Sequence, residues 1–246
     1  MDRFTRTRRL VGERSFARLS TAHVAVVGLG AVGGYGVEGL ARAGIGRLTL
    51  IDFDTFQLSN VNRQLHALES TLGKSKPEVV RERVLDINPH CQVRALPLFA
   101  DENSILAVVK EKPDILIDAI DSLNPKIQVL TASVKYGITT LSSMGAALRT
   151  DPAQIKIDDI ARTRNCPLAR RVRKRLRSNN IKEGITCVYS TEEVSFEYDL
   201  PEQHTPLLPQ ADRGRDRRTL GSLPTLTGIF GLMLANEAIM RLTRSQ

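Results

Sequence analysis

No apolar run in the 246-residue sequence reaches the ~18 residues that a membrane-spanning helix needs. The longest stretch, residues 223–235, is too short and runs into Asn236 and Glu237, so no membrane association is expected. Cysteine is scarce. Cys91, Cys166 and Cys187 are the only three, and none forms a CxxC pair, which argues against a disulfide framework and against a four-cysteine zinc site. The first residues hold Arg3, Arg6, Arg8 and Arg9 where a secretory signal would be apolar, so the expected location is the cytoplasm. There is no internal repeat and no low-complexity tract.

What is present is ordinary globular composition, 41% hydrophobic and 25% charged. Lys and Arg number 35 against 27 Asp and Glu, a net charge of 35 − 27 = +8, which favours an anionic partner. The spacing predicts a basic helix over 3–20, then a strand over 23–28, a helix over 30–43 and a strand over 47–53. This βαβ unit implies a parallel sheet. The alternation continues with a helix at 76–87, a strand at 93–98, a helix at 102–112, a strand at 115–120, a helix at 125–136 and a strand at 139–143. Beyond that, 147–150, 154–157, 185–189 and 194–197 read as short antiparallel strands, and 224–242 as a closing helix. The polar, Pro- and Gly-containing stretch 201–220 reads as a mobile loop. The fold class is α/β, a Rossmann-like, mostly parallel sheet with an antiparallel C-terminal extension. It is read as one domain over 1–246, with a nucleotide-binding half at 1–145 and a basic half at 146–246.

The first turn, Gly28-Leu29-Gly30-Ala31-Val32-Gly33, is a GxGxxG between a strand and a helix. Its glycines let backbone N–H groups at a helix start approach a phosphate. Asp52 ends the second strand, where a carboxylate accepts ribose hydroxyls. That much suits NAD or ATP, and the next residues separate them. Ser59-Asn60-Val61-Asn62-Arg63-Gln64 offers an arginine to a phosphate, Lys76 follows Gly73, and Asp121 with Ser122 follows the fourth strand. Arginine, lysine and a carboxylate around one phosphate cradle are the ingredients of triphosphate–magnesium chemistry.

These segments stand in the order and spacing of the ubiquitin-activating-enzyme-like adenylating family, which the chain resembles over residues 3–145 and again in the closing helix. Ala31 departs from the glycine that sulfur-carrier activators often have there. The resemblance implies ATP with Mg²⁺. Gly28, Gly30, Gly33, Asp52, Asp54, Ser59, Gln64 and Ser122 would bind the nucleotide, with Asp52 on the ribose. Asn60, Arg63 and Lys76 would bind and polarise the phosphates, and Asp121 would hold the metal. It further implies a homodimer, with Arg6 or Arg9 reaching the partner's site; the pattern leaves that choice open.

Residues 162–182 contain nine Lys or Arg and no acid. Leu168, Val172 and Leu176 recur every fourth position, so a helix would lie on the body by that stripe. Arg170, Arg171, Arg173, Lys174, Arg175 and Arg177 would then project outward, their repulsion relieved by a phosphate backbone. Arg213, Arg215, Arg217 and Arg218 add a second cluster. Together with Pro167-Leu168-Ala169 and Cys187-Val188-x-Ser190-Thr191-Glu192, this resembles the tRNA threonylcarbamoyladenosine dehydratase branch of the family. That branch implies a tRNA carrying threonylcarbamoyladenosine as substrate and a cysteine-desulfurase sulfur-transfer partner, which would give Cys187 a thiol role. Read from its own surroundings, Cys187 is a small apolar residue in a strand, and ring closure needs no protein nucleophile. A monovalent cation is a further expectation. The competing readings are a sulfur-carrier activator, against which the missing zinc pairs and the basic helix count, an NAD-dependent dehydrogenase, and a non-catalytic nucleic-acid-binding module.

Overall fold

Two faces of buried side chains on every central strand dictate the architecture. In the computed structural model, which describes residues 2–194 and 220–244, β1 (His23–Val27) is buried along its whole length. Val24 and Val26 point into one core, Ala25 and Val27 into another. A strand buried on both sides needs helices on both sides, and parallel βαβ crossovers supply them.

The chain runs α1 (Thr5–Val11), α2 (Glu13–Leu19), β1, α3 (Gly33–Ala43), β2 (Arg47–Ile51), α4 (Lys76–Ile87), β3 (Gln92–Leu96), α5 (Glu102–Lys110), β4 (Ile115–Asp118), α6 (Leu123–Lys135), β5 (Thr139–Ser143), β6 (Ile155–Asp159), α7 (Pro167–Arg177), β7 (Ile185–Ser190) and α8 (Pro224–Thr243). The seven strands form one sheet in the order β3-β2-β1-β4-β5-β7-β6. Every neighbouring pair is parallel except β6 with β7. Helices α3, α4 and α8 share one core with the sheet through Val37, Leu40, Val80, Val84, Phe230 and Leu234. On the other face α5 and α6 pack through Ile105, Val109 and Val129. Helix α7 closes a third cluster with β7 and α6, burying Ala169, Val172 and Leu176.

The structure corrects four expectations. The helix expected over 3–20 is two helices, because Gly12 adopts φ +84 between them. Residues 147–150 form a turn rather than a strand: Leu148 has φ +61, and the Thr150 and Asp151 amides donate to the Glu192 carboxylate instead of to a neighbouring strand. Strand β7 is not purely antiparallel, since it runs parallel to β5 and antiparallel only to β6. The helix expected to begin at 30 begins at Gly33, leaving Gly30 in the turn itself. Of the strand expected at 194–197 only Val194 lies within the described residues. The loop at 201–220, apart from Leu220, and the Arg213–Arg218 cluster lie outside them.

Candidate active site

In a doubly wound sheet the ligand crevice opens where neighbouring strands send their chains to opposite faces. Here that point is between β1, which leads into α3, and β4, which leads into α6 on the other face. Gly28 follows β1 at φ +89, and its amide donates to Ile51 O at 2.8 Å. A Cβ on Gly28 would lie 2.8 Å from Ala119 O, and one on Gly33 would lie 1.8 Å from Gly28 O. Both positions are therefore closed to any side chain. Gly30 is different, since a Cβ there would meet only the Gln64 amide at 3.5 Å. Its glycine keeps the outer surface of the turn low rather than relieving a clash.

Asp52 stands just beyond β2. One carboxylate oxygen accepts the Leu29 amide at 2.7 Å and the other the Asp54 amide at 2.9 Å. Burial pushes this carboxyl above its ordinary value, partly offset by Lys76 and by those two amides. Lys76 opens α4 with its ammonium 3.0 Å from Asp54 and almost wholly buried. Its backbone is held by its amide to Asp54 O, and a β-bridge between Thr55 and Ser75 fixes the loop around it. Asp52, Asp54 and Lys76 thus meet beside the glycine turn.

The 58–64 loop is self-supporting. Asn60 accepts the Gln57 amide through Oδ1 at 3.1 Å, so its amide NH₂ is the end able to meet an anion. The Arg63 guanidinium donates from Nη1 to Ser59 O at 2.7 Å and to Asn62 Oδ1 at 2.9 Å. Gln64 is buried, and its Oε1 has no hydrogen-bond partner among the described residues. The side of this amide that faces Gly30 is its nitrogen, so the unpaired oxygen points elsewhere. Asp121 is exposed at the end of the turn that follows β4, and Ser122 Oγ donates to it at 3.4 Å.

His66 is buried under Gly34. Among the described residues neither ring nitrogen has a hydrogen-bond partner, and Glu38 stands 3.8 Å from Nε2, too far for one. Burial therefore outweighs the nearby carboxylate and holds the imidazole pKa down to about 4.

Away from this centre, Arg6 and Arg9 are exposed on α1. On α7, Arg170, Arg171, Lys174, Arg175 and Arg177 are exposed, but Arg173 departs from the expected outward set. Its Nη1 turns back to donate to Ile160 O at 3.1 Å, Thr163 O at 2.9 Å and the Thr163 hydroxyl, satisfying carbonyls that the preceding 3₁₀ turn leaves open. Cys187 is fully buried in β7, and its desolvated surroundings push the thiol pKa strongly up, the opposite of an activated thiolate. No three His, Cys, Asp or Glu side chains gather as a metal-ligand set among the described residues.

Sequence reasoning missed one element. Asp118, at the end of β4, is fully buried against the equally buried Lys126. The available signal was a lysine among the apolar positions Ile127 and Leu130 of α6.

A glycine turn at the switch point, with a carboxylate and a lysine beside it, belongs to a doubly wound α/β protein with the layout of an adenylating enzyme. The chain belongs to the ThiF family, whose match covers residues 4–246. A Bacillus subtilis relative named tRNA threonylcarbamoyladenosine dehydratase is 41% identical, over 78% of this chain and 76% of its own. A crystal structure of the Escherichia coli tRNA N6-threonylcarbamoyladenosine dehydratase TcdA in complex with ATP superposes with a TM-score of 0.85 at 34% identity, covering 98% of this chain and 93% of that one. The Escherichia coli molybdopterin-synthase adenylyltransferase is 34% identical over only 54% of this chain and 52% of its own.

Proposed function

We propose that this protein uses ATP to dehydrate threonylcarbamoyladenosine in tRNA. The substrate carboxylate attacks the α-phosphate of ATP, the bond to the β-phosphate breaks, and an acyl-adenylate and pyrophosphate result. The side chain's own carbamoyl group then displaces AMP and closes a ring. Because the second attack is intramolecular, positioning replaces most of the catalysis it would otherwise need. The observation that carries the reading is the extent of the likeness to the dehydratases. It runs through the basic second half, whereas the likeness to the molybdopterin enzyme stops at about half the chain.

In this reading Asp52 takes the ribose, while Asn60, Arg63 and Lys76 take the phosphates. Asp121 would hold Mg²⁺, which would neutralise phosphate charge when bound. The contact between the buried Lys76 and the exposed Asp54 carboxylate holds the ammonium at the crevice. The glycine turn with Gln64 and Ser59 forms its walls, and Ser122 supports Asp121. Residues 1–145 serve the nucleotide, and 146–246 the RNA through the exposed cations of α7. The protein acts as a cytoplasmic homodimer in which an exposed Arg6 or Arg9 enters the partner's site. A monovalent cation and a sulfur-transfer partner belong to the same reading. Cys187 takes no covalent part, because a fully buried thiol with a raised pKa is a poor nucleophile.

The test is nucleoside mass spectrometry on tRNA carrying threonylcarbamoyladenosine, incubated with the protein, ATP and Mg²⁺. Loss of one water, absent in Asp121→Ala, is the expected result. ATP binding with no mass change overturns the tRNA reading and redirects the search to the C-terminal carboxylate of a small sulfur-carrier protein.

A further inference from the structure

Asp118 and Lys126 are both wholly buried, at the C-terminal end of β4 and in the first turn of α6. The ammonium donates to Asp118 Oδ2 at 2.5 Å, to Ser143 O at 3.0 Å and to Ser142 Oγ at 3.4 Å. Ser142 Oγ donates to the same Asp118 oxygen at 2.6 Å. The other carboxylate oxygen, Oδ1, accepts the Ile120 amide at 3.1 Å and so shapes the turn that leaves β4. One ion pair therefore joins the ends of β4 and β5, the start of α6 and the 119–122 turn.

Stability does not explain such a pair, since apolar residues of similar volume commonly replace a buried ion pair at no cost or with gain. Its position does. The 119–122 turn is the floor of the nucleotide crevice. Ala119 O sits 2.8 Å from where a Gly28 Cβ would be, and Ala119 Cβ sits 3.3 Å from where a Gly33 Cβ would be. Asp121 lies on the same turn.

We infer that Asp118, held in place by Lys126, is a positioning residue for the adenylation site through its Oδ1, which accepts the Ile120 amide, rather than through the charge of the pair. It holds the 119–122 turn at the height that lets the glycine turn and Asp121 grip one magnesium–nucleotide. This rests on the ATP reading of the site given above.

Neutral double variants give the clean test, because neither leaves a buried charge unpaired. Asp118→Asn with Lys126→Met keeps an oxygen for the Ile120 amide. Asp118→Ala with Lys126→Met removes it. Binding of Mg·ATP and of unmodified tRNA is measured for both and for the parent, together with kcat and KM for ATP. The Asn double variant should bind Mg·ATP within about threefold of the parent, and the Ala double variant roughly 10- to 100-fold more weakly, with tRNA affinity unchanged in both. Equal Mg·ATP affinity for the two double variants overturns the inference and leaves the pair a packing element. A parent that binds tRNA but no ATP refutes the adenylation reading itself, and the inference falls with it.

Discussion

Acidifying this protein should destabilise it chiefly through one imidazole. His66 is held neutral, with its pKa lowered from 6.5 to about 4, first by burial and then by Arg83, against the opposing pull of Glu38. The unfolded chain therefore binds this proton before the folded one does. Between pH 6.5 and about 4 the unfolded state carries more protons, so stability falls as pH falls through that window. At ~1.4 kcal/mol per pKa unit the full loss is roughly 3 kcal/mol, of which about 2 kcal/mol has accrued by pH 5. The perturbation is His66→Gln, which removes the titration. The assay is urea unfolding of parent and variant from pH 7.5 to 5.0. The comparison concerns slopes rather than absolute stability, because a buried glutamine has unmet hydrogen bonds of its own. His23, also lowered by burial and then by Arg47, titrates in both proteins and cancels. The parent should lose about 2 kcal/mol more than the variant on reaching pH 5. Parallel slopes would refute the argument and show that His66 finds a proton-stabilising partner in solution.

Gly33→Ala should abolish ATP binding, because its Cβ would fall 1.8 Å from Gly28 O, whereas Gly73→Ala, at φ +78 in open space, should cost only about 1 kcal/mol of stability; calorimetric ATP titration and thermal melts separate the two. Replacing Arg171, Lys174 and Arg175 together by Ala should weaken tRNA binding and flatten its dependence on log salt by roughly three contacts. Retention of the parent's salt slope in filter binding would make α7 merely a solvated face. Cys187→Ser should keep ATP-dependent turnover while losing ~1–3 kcal/mol of stability to a buried hydroxyl. A variant as stable as the parent but inactive would reinstate the thiol in the mechanism.

The first half of the fold was legible because its strands are short apolar runs near glycine and proline stops, and β1 and β4, buried along their whole length, need helices on both faces. The nucleotide turn was legible for the same reason that it is rigid: only glycine fits where backbone lies 1.8 Å from an absent Cβ. Asp52, at a strand end, and Lys76, at a helix start, were legible from their places in the pattern, and Asp54 lies between them. What escaped reading depended on contacts distant in sequence. Gly12 divides the N-terminal helix through its backbone conformation, which the apolar stripe around it does not encode. The direction of β7 is set by its pairing with β5, some 45 residues earlier, not by its own alternation. Arg173 sits in the middle of a basic run, and only the open carbonyls of Ile160 and Thr163 draw it inward. Lys126 is buried because the ends of β4 and β5 close over it.

The contact between α3 and α8 bears on the order in which the molecule can assemble. A Cβ on Gly231 would fall 2.2 Å from Val32 O, and one on Gly39 would fall 3.0 Å from Ala235 Cβ, so the two helices touch almost backbone to backbone. Val32 lies in the nucleotide turn itself. The turn is thus braced by a helix encoded nearly two hundred residues later, and a nascent chain that has not yet released α8 from the ribosome lacks that brace. ATP should therefore be a late ligand of synthesis, captured only after the last helix docks, and the long sequence separation of this contact places it among the slower steps of folding.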